Sequence, residues 1–350
     1  MKHLMKGNEA IAEAAIKAGC RFFFGYPITP QNQIPEYMSK RMPEIGGCFL
    51  QAESEVAAIN MVYGASGAGA RVMTSSSSPG ISLKQEGIAY MACAELPAVI
   101  VNMVRGGPGL GSIQPAQSDY FQMTKGGGHG DYKLIVFAPD SVQEAVDLTY
   151  SAFDTADKYR TPVVILGDGM IGQMMEPVEM PEEIAELPEK PWATTGCAKG
   201  ERRIINSLYI EPDVMEKVNL RLQEKYNTIA RNETRWEEYF MEDAEMVITA
   251  YGTTARIAKK SIKELRKAGV KAGLIRPITL WPFPAEAINK AAARAKAFLT
   301  VEMSCGQMVE DVRLAVNGQA PVEFFGRAGG MIPSWKEIYA AAEKALGGVK

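Results

Sequence analysis

Short apolar runs bounded by glycine, proline and polar residues alternate along this chain with longer stretches of helical periodicity. Runs at 20–24, 46–50, 70–73, 98–104, 133–137 and 162–166 read as strands. The segments 8–18, 31–39, 54–67, 81–94, 115–125 and 141–158 read as the helices between them. Ser54 and the pair Asp140-Ser141 stand where helix N-caps belong. Strands alternating with helices of this length predict a parallel sheet covered on both faces. This first unit is expected to end near Gln173.

The texture then changes. Residues 181–245 hold 24 Asp, Glu, Lys or Arg, against 31 in the 180 residues before them. That density predicts a solvated connector with one helix near 213–226 rather than a core. The rhythm resumes with strands at 246–251, 272–276, 298–302 and 322–325, and helices at 254–268, 284–295, 306–316 and 334–345. The expected fold is therefore α/β, with two parallel-sheet domains. Residues 1–180 form the first, 181–244 a charged linker, and 245–350 a smaller second domain.

Composition narrows the chemistry. The chain has 350 residues, enough for about two domains at roughly 150 residues each. With 47% hydrophobic and 23% charged residues and a net charge of −3, it is neither disordered nor a polybasic nucleic-acid binder. The uncharged run 56–70 is rich in Gly and Ala and too short to span a bilayer, and the N-terminus has no apolar signal core. A cytoplasmic protein is expected. Cys20, Cys48, Cys93, Cys197 and Cys305 are odd in number and widely spaced, with no C-x-x-C. That spacing excludes a disulfide framework and a Cys-ligated zinc or iron–sulfur site within this chain. His3 and His129 are the two histidines, too few for a multi-His metal site. His129 sits in a glycine-rich loop, where a solvated and a functional imidazole are equally expected. The chemistry points to a borrowed cofactor.

Two glycine patterns are decoys. Gly167–Gly172 matches G-x-G-x-x-G after a strand, but Pro177 and Pro181 forbid the long helix that a dinucleotide site requires. Gly167-Asp168-Gly169 also starts like the magnesium–diphosphate motif of thiamine diphosphate enzymes. That motif continues with Asn, and residues 188–200 contain none. No P-loop is present. Better candidates are loops at strand C-terminal ends, where open parallel sheets bind ligands. Tyr26-Pro27-Ile28-Thr29-Pro30 presents the Thr29 hydroxyl between two prolines, or is simply a rigid turn. Arg105 emerges into Gly106–Gly111, placed to clamp a carboxylate, or to pair with a nearby acid. Ser75–Ser78 forms a third polar loop. Gln51–Glu55 is the fourth, and Glu55 opens an otherwise apolar helix. The helix terminus favours its charge while desolvation opposes it, so Glu55 could share a proton with a heteroaromatic ring.

Taken in order, these segments resemble the alpha subunit of the multisubunit 2-oxoacid:ferredoxin oxidoreductases. The matching motifs are Y-P-I-T-P at 26–30, S-E-V-A-A at 54–58, S-S-P-G at 77–80 and R-G-G-P-G at 105–109. R-P-I-T-L-W-P-F-P at 276–284 and V-E-M-S-C-G-Q at 301–307 complete the set. The segments 110–122 and 125–132 look most like the branched-chain, 2-ketoisovalerate type, and Ile113–Gln117 departs from the 2-oxoglutarate pattern. The resemblance implies oxidative decarboxylation of 3-methyl-2-oxobutanoate to an acyl-CoA with ferredoxin as acceptor. The alternatives are 2-oxoglutarate or pyruvate as substrate, or a non-catalytic structural subunit.

It further implies a first domain that binds the pyrimidine half of thiamine diphosphate, and a transketolase C-terminal-like second domain. Glu55 would be the catalytic acid at the ring nitrogen, with Glu53 a weaker candidate. Thr29 and Arg105 would bind substrate, while Pro27, Ile28 and Ser77 would contact cofactor. Magnesium, the cofactor's diphosphate and an iron–sulfur cluster would belong to a beta subunit. A gamma subunit, a small ferredoxin-like subunit carrying further clusters, and ferredoxin would complete the system, with coenzyme A as cosubstrate. A nicotinamide-dependent dehydrogenase using Gly167–Gly172 is the rival enzyme reading.

Overall fold

The computed structural model describes residues 2–182, 184–197 and 200–347. The chain begins with β1 (Lys2–Lys6), α1 (Gly7–Lys17), β2 (Phe22–Gly25), α2 (Gln33–Glu44), β3 (Cys48–Gln51) and α3 (Glu55–Gly67). Next come β4 (Val72–Ser76), α4 (Ser78–Cys93), β5 (Val99–Val104), α5 (Tyr120–Thr124), β6 (Ile135–Phe137) and α6 (Val142–Tyr159). They are followed by β7 (Val163–Asp168), α7 (Gly169–Gln173), β8 (Met175–Glu179), α8 (Pro212–Glu233) and β9 (Trp236–Tyr239). The remainder is β10 (Met246–Thr249), α9 (Gly252–Lys267), β11 (Ala272–Pro277), β12 (Thr279–Trp281), α10 (Ala285–Ala292), β13 (Ala297–Glu302), α11 (Met308–Val316), β14 (Val322–Gly326) and α12 (Trp335–Gly347).

Local chemistry starts the helices where the pattern predicts. The Ser54 hydroxyl accepts from Ala57 N at 3.1 Å, and Ser141 from Glu144 N at 3.1 Å. Each satisfies one of the free N–H groups of a first helical turn. Buried side chains fill both faces of the first sheet: β5, β6 and β7 are buried at every position. Near-continuous burial is the mark of parallel strands covered on both sides.

The first sheet has seven strands in the order β12-β6-β7-β5-β4-β2-β3, parallel except for β12. The second has five, β14-β13-β10-β11-β9, parallel except for β9. From β2 the chain moves outward to β3, then returns past β2 to β4 and continues to β5 on the other side. Loops after β2 and β4 therefore diverge, opening a crevice between the C-terminal ends of those strands. That is the topological switch point where open α/β sheets bind ligands.

Several elements differ from the sequence expectation. β1 and β8 pair antiparallel as a separate two-stranded ribbon. The helix expected over 115–125 is only the five residues of α5, because the preceding backbone bends to pair Arg105 with Pro115. The charged stretch supplies β9 to the second sheet and a 22-residue α8. Val218, Leu222, Tyr226 and Ile229 of α8 are buried in the main core, so this segment is more than a solvated connector. β12 leaves the second half of the chain to pair with β6 at the edge of the first sheet. One continuous core links Phe23, Val101 and Ile165 with Tyr251, Leu280 and Met308.

Candidate functional site

Three of the four polar loops meet at the switch point through direct hydrogen bonds. Arg105, at the end of β5, is 6% exposed. Its Nη1 donates to the Thr29 carbonyl oxygen at 3.0 Å and its Nη2 to the Leu110 carbonyl oxygen at 2.9 Å. Its Nε is buried and has no partner. Both Nη bonds go to neutral carbonyls, so they leave the positive charge of the guanidinium uncompensated. Thr29 is half-buried, and the loop before it exposes Tyr26 and Pro27 and half-buries Ile28.

The loop after β4 supplies the next wall. The Ser78 hydroxyl donates to Asp119 Oδ2 at 2.7 Å, and Asn102 Nδ2 donates to the same oxygen at 2.9 Å. Arg105 N in turn donates to Ser78 Oγ at 3.1 Å. Burial pushes the Asp119 carboxyl above its ordinary range, although these two hydrogen bonds pull it back. Ser76 and Ser77 are completely buried, and neither hydroxyl has a partner. Ser77 is the residue at the N-cap of α4.

Glu55, the first residue of α3, is 7% exposed and lies against the start of α4. A Cβ built on Gly80 would fall 2.1 Å from Ser76 Oγ and 2.6 Å from Glu55 Oε1. Only glycine permits this close approach. Ser76 Oγ and Glu55 Oε1 thus occupy the space a side chain at position 80 would need, which seats the carboxylate against the first turn of α4 beside the orphaned Ser76 hydroxyl. Glu53, by contrast, is exposed.

A cavity of about 640 Å³ lies beside the start of α4, between the loops and the second sheet. Arg105, Ser78 and Asp119 line one side; Met303, Cys305 and Gly329 line the other. Gly106 packs so closely on Gly329 that a Cβ there would lie 2.8 Å from the Gly329 carbonyl carbon. Gln117 fixes the two halves: its Nε2 donates to the Tyr251 carbonyl oxygen at 2.8 Å, and its Oε1 accepts from Met303 N at 2.9 Å. At the end of β13, Glu302 accepts from the N–H groups of Gln307, Met308 and Val309 and so caps α11. That cap shapes the Met303–Gln307 turn facing the cavity.

The remaining candidates lie elsewhere. Asp168 turns its carboxylate onto Met170 N and Ile171 N at 2.8 and 3.2 Å. The N–H groups at the start of α7 are therefore already taken by a side-chain carboxyl, which removes the seat a dinucleotide phosphate would need. Exposed His129 packs edge-on against Tyr90, with ring centroids 5.9 Å apart. All five cysteines are free thiols, and no cluster of three metal-ligating side chains occurs among the described residues.

The sequence reading overlooked Lys84, Asn102, Gln117 and Asp119. A signal existed for one of them. Asp119 is the one charged residue between Arg105 and Lys125. Isolated charges in otherwise uncharged stretches are candidates for burial.

Arg105, Ser78 and Asp119 thus line a cleft at the switch point of the parallel sheet, faced by the Met303–Gln307 turn. The comparisons identify the class. Residues 13–257 match the family model described as pyruvate flavodoxin/ferredoxin oxidoreductase, thiamine diphosphate-binding, and 244–338 match pyruvate:ferredoxin oxidoreductase core domain II. The ketoisovalerate oxidoreductase subunit VorB of Methanothermobacter marburgensis is 51% identical, with 98% of each chain covered. The 2-oxoglutarate synthase subunit KorA of Methanothermobacter thermautotrophicus is 36% identical, with 96% of this chain and 97% of the relative covered. A solved 2-oxoglutarate:ferredoxin oxidoreductase from Magnetococcus marinus, with 2-oxoglutarate, coenzyme A and succinyl-CoA bound, superposes with a TM-score of 0.89 at 26% identity. The match covers 99% of this chain and 65% of that longer one. This chain belongs to the 2-oxoacid:ferredoxin oxidoreductase family, as a subunit with the family's thiamine diphosphate-binding domain. No helix among the described residues is long and apolar enough to cross a membrane.

Proposed function

We propose that this chain is the subunit that frames the pyrimidine half of thiamine diphosphate in a cytoplasmic enzyme acting on 3-methyl-2-oxobutanoate. The products are the acyl-CoA, carbon dioxide and reduced ferredoxin. The observation that carries the reading is the buried Arg105 guanidinium, without an ion pair and tied to Thr29, near the close Glu55–Gly80 contact. The 51% identity to a ketoisovalerate oxidoreductase subunit, against 36% to a 2-oxoglutarate synthase subunit, favours the branched-chain substrate.

The residues present fit the cofactor. A flat heteroaromatic ring would lie beside the Glu55 carboxylate, which Gly80 lets approach the start of α4, with Glu55 at its ring nitrogen. Ser77, Pro27 and Ile28 would border it. Thiamine diphosphate, when bound, supplies the nucleophile for the keto carbon and the electron sink for decarboxylation. The chain's own work is then definite. Glu55 holds or releases the proton at the ring nitrogen. Arg105, whose guanidinium lines the cavity, grips the substrate carboxylate and thereby orients the keto carbon. The Thr29 hydroxyl donates to the substrate's oxygen, where negative charge develops.

The first functional unit in this reading is residues 1–180, with 181–244 as connector and 245–350 closing the cavity. Magnesium, diphosphate and an iron–sulfur cluster reside on a beta subunit; a gamma subunit and a small ferredoxin-like subunit complete the path to ferredoxin. Exposed Tyr26, Leu50, Val56 and Leu83, each next to a loop or helix start of the site, support a partner surface there. Turnover of 3-methyl-2-oxobutanoate, pyruvate and 2-oxoglutarate by the reconstituted complex tests the substrate. Glu55→Gln in that complex is expected to abolish turnover of all three; near-full turnover would favour a structural subunit. The purified chain alone is expected to be inactive.

A further inference from the structure

Lys84 is completely buried, which is rare for an ammonium without an ion pair. It lies on α4 one turn beyond Gly80 and so on the same face of the helix. Its Nζ donates to Thr74 Oγ1 at 2.6 Å and to the Ser75 carbonyl oxygen at 3.2 Å, both at the C-terminal end of β4. Ser75 Oγ donates to Gln31 Oε1 at 2.5 Å, and Gln31 Nε2 donates back to the Tyr26 carbonyl oxygen at 3.4 Å. One buried amine thus sits at the root of both the β4 loop and the loop that presents Thr29.

The groups around it are few. Thr74 and Ser75 approach from β4, and Gln31, one bond further out, leads into α2; all three are uncharged. From α3, Glu55 is the charged group whose field acts on the amine. Burial pulls Lys84 down to about 7, and Glu55 opposes that shift. A desolvated lysine of this kind is a cation whose charge changes near neutrality.

We propose that Lys84 is a positioning residue for cofactor binding: its ammonium holds the β4 end and the Tyr26–Pro30 loop in register and serves as counter-charge to Glu55. The proposal rests on the reading of this cleft as the thiamine pyrimidine site. It acts through Glu55 and the two loops rather than on substrate.

The test is equilibrium binding of thiamine diphosphate with Mg²⁺ to the assembled complex, followed calorimetrically from pH 6 to pH 9. The wild-type complex should lose about tenfold in affinity as Lys84 discharges, the equivalent of ~1.4 kcal/mol. Lys84→Met should bind at the weaker level throughout, with no inflection. Glu55→Gln, which keeps the lysine, should move the inflection to lower pH because the field that helps retain the proton is gone. A Lys84→Met complex with wild-type affinity and an unchanged inflection would overturn the proposal. So would a Glu55→Gln complex whose inflection stays in place, a result that does not depend on how well Lys84→Met folds. Failure of the wild-type complex to bind thiamine diphosphate at all would overturn the site assignment and the proposal together.

Discussion

Arg105 Nη1 donates to the Thr29 carbonyl oxygen at 3.0 Å, across the crevice between the loops that follow β5 and β2. The contact sets the guanidinium plane before any ligand arrives and turns Nε away from the protein's own acceptors. A preformed fork spends little conformational entropy when it meets a carboxylate. The same bond makes the arginine a strut for the Tyr26–Pro30 loop.

Arg105→Lys keeps the charge but loses the fork. A charge-assisted hydrogen bond contributes ~1.5–3 kcal/mol, so kcat/KM for the 2-oxoacid should fall by roughly 10- to 100-fold. Steady-state kinetics of the reconstituted complex measure it. An unchanged kcat/KM would remove Arg105 from substrate binding.

Gly80→Ala should push the Glu55 carboxylate off the start of α4 while sparing the fold. Its Cβ would meet Ser76 Oγ and Glu55 Oε1 well inside contact distance. The side chains can swing aside, so the melting temperature should drop only slightly. Thiamine diphosphate affinity should fall at least tenfold, as read by calorimetry on the complex.

Lys84→Met should raise stability, and more so at lower pH. The native amine titrates at about 7, below its unfolded value, so the unfolded chain binds more protons between that pH and the ordinary lysine range. Native stability therefore rises with pH across that window, and the cost of burying the charge is greatest below it. Methionine removes the cost. Melting temperatures of wild type and variant should diverge at pH 6 and converge near pH 10; parallel curves would contradict the burial argument.

Gln117→Ala should loosen the two halves from each other. It leaves the Met303 N–H without the acceptor seen at 2.9 Å, while the Tyr251 carbonyl keeps its bonds from Thr254 Oγ1 and Ala255 N. Leaving one buried backbone group unpaired costs ~1–3 kcal/mol. Chemical denaturation should show a loss of that order.

The β–α rhythm was legible because parallel strands buried on both faces announce themselves as unbroken apolar runs. Val99–Val104 and Val163–Asp168 are such strands. The loops that carry Thr29, Glu55, Ser77 and Arg105 were legible together because each follows the C-terminal end of an apolar strand. β1 and β8 were not, because a two-stranded ribbon with mostly exposed residues has little apolar pattern. Pro177 within β8 also masks it. Three-residue β12 carries no periodicity at all; its place comes from pairing with β6, far away in sequence. Lys84 was hidden for a different reason. Side-chain type alone puts a lysine in water, and only tertiary packing buries this one. Asp168 was misleading until its carboxylate was seen capping its own helix.

β12 also bears on how the protein is made. The first sheet is closed at one edge by Thr279–Trp281, more than a hundred residues after β7 is complete. During synthesis, β6 therefore leaves the ribosome with an unpaired row of backbone groups, a template for pairing with other chains. The helices on either side can fold early, but this edge stays open until translation passes residue 281. Slow codons or a truncation between β7 and β12 would prolong that exposure, and insoluble product should accumulate from chains stopped in that interval.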